Sequence, residues 1–142
     1  MTTSGEPEAI AERELCGLVN GLAQQIAHHV RDRAVALGLT AAQATALREM
    51  TGPMTMRELA ERMSCEPSNA TFVVDKLEKQ GLVERRAHPT DRRAKHLALS
   101  AEGTALRERL LELLAEDSPL AGLAPRQQRV LQRLLEQAII RS

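Results

Sequence analysis

The spacing of apolar residues between positions 55 and 99 constrains this chain more than any other feature. Thr55, with Glu58 three residues later, is a capping box. It opens a short helical stripe over residues 56–63 with Leu59, Ala60 and Met63 on one face. A four-residue break, Ser64-Cys65-Glu66-Pro67, follows. Pro67 suits the first turn of a second helix, which Ala70, Val73, Val74 and Leu77 carry to about Gln80, with Gly81 as its stop. Leu82-Val83-Glu84-Arg85-Arg86 then reads as a short strand and Ala87-His88-Pro89-Thr90-Asp91 as a turn. Residues 92–99 return as a strand in which Ala94, His96 and Ala98 alternate with Lys95, Leu97 and Leu99. Two short helices, a tight turn and a hairpin make a helix-turn-helix with a wing.

The flanks are helical. Leu15, Val19, Leu22, Ile26 and Val30 form one stripe in a stretch, residues 8–37, that lacks Pro. About 30 residues of helix reach roughly 45 Å, more than a small globule needs for its own core, so this helix is expected to bridge to a second subunit. Gly38 is its stop, Thr40 caps a helix over 41–50, and Gly52-Pro53 breaks the chain. Ser100 caps a helix over 101–116 carrying Leu106, Leu110, Leu113 and Leu114. Pro125 opens the last one, with Val130, Leu131, Leu134, Leu135, Ala138 and Ile139. The expected fold is mostly α, a winged helix-turn-helix lobe plus a helical dimerisation region, with about six helices and a β-hairpin wing. It divides, within one continuous domain, into a tail and long helix (1–39), the winged lobe (40–100) and the C-terminal helices (101–142).

Composition agrees. One Phe, no Tyr and no Trp leave a core of Leu, Val, Ile, Ala and Met, which favours helix packing over a sandwich or barrel. At 142 residues the chain can bury that core without staples. Cys16 and Cys65 lie far apart and read as free thiols. With no signal peptide and no apolar run of membrane length, a cytoplasmic protein that avoids membranes is expected. There is no Gly-rich phosphate loop, nucleophile elbow or acid–base cluster, so no enzyme and no cofactor is expected. His88 and His96 lack further ligands at metal spacing, so neither is a metal.

On the second short helix the inward stripe leaves Ser68, Asn69, Thr71, Phe72, Asp75, Lys76 and Lys79 outward. A helix of this kind fits the major groove of DNA, where Asn pairs with adenine and Thr or Phe touches a thymine methyl. The same face also reads as an ordinary solvated one. Phe72 has two readings, an apolar probe for DNA or a ring tucked against the neighbouring short helix. The hairpin decides between the classes. Net charge is zero over the whole chain, with 19 basic and 19 acidic residues. Yet residues 84–95 hold Arg85, Arg86, Arg92, Arg93 and Lys95 against Glu84 and Asp91. Residues 66–80 are slightly acidic, with three acids against two lysines. Phosphate attraction is therefore expected from the wing, with Lys76 and Lys79 assisting. A wing-tip Arg suits a narrow minor groove, and Asp91 can orient Arg93.

Residues 55–103 resemble the MarR family of regulators. The likeness rests on Met56-Arg57-Glu58-Leu59-Ala60-Glu61-Arg62-Met63 and on residues 75–85. It rests most on Asp91-Arg92-Arg93 followed by Leu99-Ser100-Ala101-Glu102-Gly103, which is similar to the family's wing signature. The resemblance implies a triangle-shaped obligate homodimer whose first and last helices interlock. Its two recognition helices would read a pseudo-palindrome of double-stranded DNA, with Arg93 as the minor-groove arginine. Phe72 departs from the polar or basic residue common there.

The resemblance also implies a switch. Many relatives release DNA when a small anion binds between the dimer helices and the winged lobe. The residues matching such a pocket are His28, His29, Arg33, Leu47 and Met50, which read equally as interface cover. Cys16 lies where the peroxide-sensing branch places its reactive thiol, although the tyrosines that neighbour it there are absent. Two switches are therefore open, a small-molecule inducer and oxidation of Cys16, with a buried structural Cys16 as the alternative.

Overall fold

A computed structural model describes residues 5–91 and 95–140. The elements are α1 (Gly5–Ala36), α2 (Ala41–Glu49), α3 (Met56–Met63), α4 (Pro67–Lys79), β1 (Val83–Ala87), β2 (Lys95–Leu99), α5 (Ala101–Ala115) and α6 (Pro125–Ile140). Order and type follow the apolar pattern, with ends displaced by a few residues at most. Arg92, Arg93 and Ala94, expected in the returning strand, lie outside the described residues.

Helix ends explain the sharpness of these boundaries. Three helices finish alike, in a paired hydrogen-bond lock around a left-handed residue. After α1, Leu39 N–H reaches the Ala34 carbonyl (2.9 Å) and Gly38 N–H the Val35 carbonyl (3.1 Å). After α4, Leu82 N–H bonds Leu77 O (2.9 Å) and Gly81 N–H bonds Glu78 O (3.0 Å). Gly38 and Gly81 carry φ of 71° and 77°, which costs a glycine nothing. After α3 the same lock uses Ser64 at φ 55°. The Thr55–Glu58 box forms as the spacing predicts. A second box, Thr40 with Gln43, opens α2. Gln43 is itself buried and donates to Gln80 Oε1 (3.0 Å), tying the start of α2 to the end of α4.

Two compact units result. Ala27–Glu116 forms one, wider at both ends than the expected lobe of residues 40–100. Its core is wholly aliphatic and methionine: Leu47, Leu59, Val74, Leu77 and Leu110 are fully buried. β1 and β2 pair antiparallel, with Val83 opposite Leu99 and Ala87 opposite Lys95. Met54 adds a one-residue bridge to the far side of β2, exchanging backbone bonds with Leu97 at 3.1 and 2.7 Å. Successive strand residues face opposite ways, yet Leu97 and Ala98 are both buried. The clean alternation expected for β2 fails because the strand is covered on both faces.

Arginines close the carboxyl end of α2. The last carbonyls of a helix have no partner within it and attract cations. Arg107 of α5 donates to Leu47 O (2.8 Å) and Arg48 O (2.9 Å), and Arg62 of α3 donates to Glu49 O (3.1 Å). The carboxyl end of α2 is thus pinned from two sides.

The other unit comprises Met1–Ile26 and Asp117–Ser142. In its connection before α6, Gln128 Nε2 donates to Leu120 O and Leu123 O. Ile10, Leu15, Leu18 and Val19 on α1, and Val130, Leu134, Leu135 and Ile139 on α6, are exposed apolar residues. No helix among the described residues is long and apolar enough to cross a membrane.

Candidate nucleic-acid interface

α4 owes its orientation to Ala70, Val73, Val74 and Leu77, all buried. That commitment turns Ser68, Asn69, Phe72, Lys76 and Lys79 to solvent. The Asn69 carboxamide makes no hydrogen bond among the described residues, so both its donor and its acceptor are free. Thr71 is different. It is half-buried and its hydroxyl donates to the Pro67 carbonyl (2.9 Å), which leaves its methyl and the acceptor side of its oxygen for another molecule. Phe72 does not tuck against α3; it stands 61% exposed. Lys76, one turn on, holds its ammonium 4.4 Å from the ring centroid, a cation–π contact.

The wing begins where α4 ends, and ion pairs join the two. Arg85 on β1 pairs with Asp75 of α4 and lies 3.6 Å from Glu78. Arg86 pairs with Glu84 on its own strand (2.7 Å). Both arginines that flank the hairpin base are therefore engaged within the chain. Free positive charge at the base is smaller than the sequence count implies. In the turn, His88 Nδ1 accepts the amides of Thr90 and Asp91, both at 3.1 Å. In the neutral ring this puts the proton on Nε2. The His88 and His96 rings lie 4.3 Å apart, centroid to centroid. Lys95 and Asp91 are exposed. The expected pairing of Asp91 with Arg93, and the roles of Arg92 and Arg93, fall outside the described residues.

The residues expected to line a ligand pocket are placed as follows. His28 is exposed, 3.5 Å from Asp32. His29 Nε2 donates to Leu114 O (2.8 Å) and Arg33 to Glu116 O (3.0 Å), so both grip the carboxyl end of α5. Arg33 Nε is buried without a partner. Leu47 and Met50 belong to the core. A cavity of about 300 Å³ lies elsewhere in this unit, bordered by Met50, Thr51, Pro53, Arg86, Thr104 and Arg107. Of the five expected residues only Met50 borders it. Cys16 is exposed on α1 and Cys65 is half-buried. Among the described residues no group of His, Cys, Asp and Glu is arranged to hold a metal.

Sequence reasoning missed Arg107 and Arg62, whose partners are carbonyls distant in the chain and leave no local pattern. It also missed the Gln43 box, although the Thr40–Gln43 spacing carries that signal.

Comparison with known proteins places this geometry. Residues 39–95 match the MarR family model. The chain is 37% identical over 76 residues to the HTH-type transcriptional repressor MdtR of Bacillus subtilis, covering 52% of this chain and 49% of that one. It is 30% identical over 93 residues to YkoM of the same organism, an uncharacterized HTH-type transcriptional regulator, covering 64% and 60%. The chain thus spans about half to three-fifths of the length of these relatives. Among solved structures, a MarR mutant from E. coli complexed with operator DNA superposes with a TM-score of 0.69 at 25% identity, covering 88% of this chain and 93% of that one.

Proposed function

We propose that the chain is a member of the MarR family, a transcriptional regulator that binds double-stranded DNA sequence-specifically as a homodimer, on the match of residues 39–95 to the family model and the likeness to a repressor. α4 enters the major groove and the β1–β2 hairpin follows the adjacent backbone. The observation that carries this reading is the outer face of α4. Ser68, Asn69, Phe72 and Lys76 are exposed on a helix whose opposite face is locked into the core. The operator is a pseudo-palindrome, since two copies related by a two-fold present two α4 helices. A second copy accounts for Leu15, Leu18 and Val19 of α1 and Leu134 and Ile139 of α6, apolar residues too numerous to leave in water.

Regulation follows as repression relieved by a small molecule. The 300 Å³ cavity beside the α2–α3 turn is a candidate inducer site, walled by Arg86, which is paired with Glu84, by Arg107, which is bonded to the Leu47 and Arg48 carbonyls, and by Glu108. Oxidation of Cys16, which is exposed on α1 of the single chain, is the second route.

A gel shift with the DNA upstream of the gene tests the reading. Wild type should retard it, and Asn69→Ala should bind about tenfold or more weakly, as for loss of one bidentate base contact. Equal binding of that DNA and of a scrambled duplex would sink the proposal. Small aromatic acids should release the complex. If peroxide oxidises Cys16 without changing the shift, the redox route is excluded.

A further inference from the structure

We propose that Phe72 reads the 5-methyl group of a pyrimidine in the major groove, so that affinity depends on one methyl in each half-site. The inference rests on the DNA-binding reading above and names what that site selects.

Phe72 is the only Phe in a chain with no Tyr and no Trp. The core around it is aliphatic and offers places where a ring could be buried. Instead the one aromatic side chain stands 61% exposed, on the face of α4 opposite Val73, Val74 and Leu77. Water penalises such placement, and the contact that offsets it among the described residues is that of Lys76. That lysine covers one face of the ring from 4.4 Å and so restricts its orientation. Asn69 and Ser68 lie three and four residues earlier on the same side of the helix.

Base edges in the major groove carry donors, acceptors and a single apolar feature, the C5 methyl of thymine. A phenyl ring has no hydrogen bond to offer. Against any polar edge it only removes water, whereas against a methyl it buries apolar surface on both partners. An oriented ring on this face therefore discriminates for a 5-methylpyrimidine. Thymine provides that group in ordinary DNA and 5-methylcytosine provides it in modified DNA.

The test uses the full chain and a duplex enriched from a random pool by repeated selection on it. Each thymine is replaced singly by deoxyuridine, which deletes the methyl and nothing else. Wild type should lose about five- to tenfold in affinity, by fluorescence anisotropy, at one position per half-site. Phe72→Ala should bind the parent duplex more weakly by a similar factor and no longer distinguish thymine from uracil there. Its salt dependence and thermal melt should match wild type, because neither a charge nor core packing changes. In a second arm that position carries deoxycytidine or 5-methyldeoxycytidine. Tighter binding of the methylated base by wild type alone extends the reading to cytosine methylation, and equal binding overturns that extension. Indifference of wild type to every uracil, or full discrimination retained by Phe72→Ala, overturns the proposal. Failure to enrich any sequence defeats the DNA-binding reading itself, a separate result.

Discussion

Gly103→Ala should lower the melting temperature by roughly 10 °C or abolish folding, the cost of about 3 kcal/mol or more of overpacking. A Cβ at position 103 would sit 2.0 Å from the Leu82 carbonyl oxygen and 2.9 Å from its carbon. These are backbone atoms, so no rotamer change relieves the clash. Leu82 is also fixed on both sides. Its N–H closes α4 onto Leu77, its carbonyl accepts the Ser100 amide at 3.0 Å, and Val83 follows in β1. Ser100 meanwhile caps α5 by accepting the Gly103 amide (3.0 Å). One substitution would thus separate α5 from the joint between recognition helix and wing. Gly52→Ala is the control: it meets nothing within 4 Å and should melt as wild type does. Circular dichroism at matched protomer concentration measures both, since self-association alone shifts the midpoint. Equal melting of the two variants would refute the close approach.

Arg93→Ala should weaken operator binding about tenfold at low salt and reduce the slope of log affinity against log salt by about one per protomer. The ion pairs at the hairpin base are what raise this expectation. With Arg85 drawn to Asp75 and Glu78, and Arg86 to Glu84, the basic residues of α4 and the hairpin that make no ion pair among the described residues are Lys76, Lys79 and Lys95. An arginine meeting the minor groove at the tip then carries a large share of the electrostatic attraction. Filter binding or anisotropy between 50 and 200 mM salt, a range over which such contacts respond strongly, reads the slope. An unchanged slope would remove the wing from the interface.

Most of this architecture is legible in the chain because its determinants are local. The stripe Ala70, Val73, Val74, Leu77 settles which face of α4 turns outward, and Gly38, Gly81, Thr55 and Ser100 mark their boundaries through backbone conformation or capping. What stays hidden depends on partners far along the chain. No sequence pattern announces that Arg107 would find the carbonyls of residues 47 and 48, or that Arg85 would turn toward α4. Charge counting along the hairpin is blind for the same reason: it does not see Arg85 turn toward Asp75 and Glu78 on α4. The pocket residues fared likewise. His29 and Arg33 carry suitable chemistry for an anion, yet two carbonyls at the end of α5 reach them first.

The internal pairing of Arg85 and Arg86 has a consequence for how such a regulator finds its target. A chromosome offers about a million or more wrong sites, and every one displays the same phosphates. A protein rich in unmatched cations would be held by all of them. If the chain binds DNA as proposed, part of its positive charge is matched by Asp75, Glu78 and Glu84 before any duplex arrives, so a wrong sequence would retain it more briefly. Residence would then hang on base edges, and the search would proceed by frequent release rather than by tenacity.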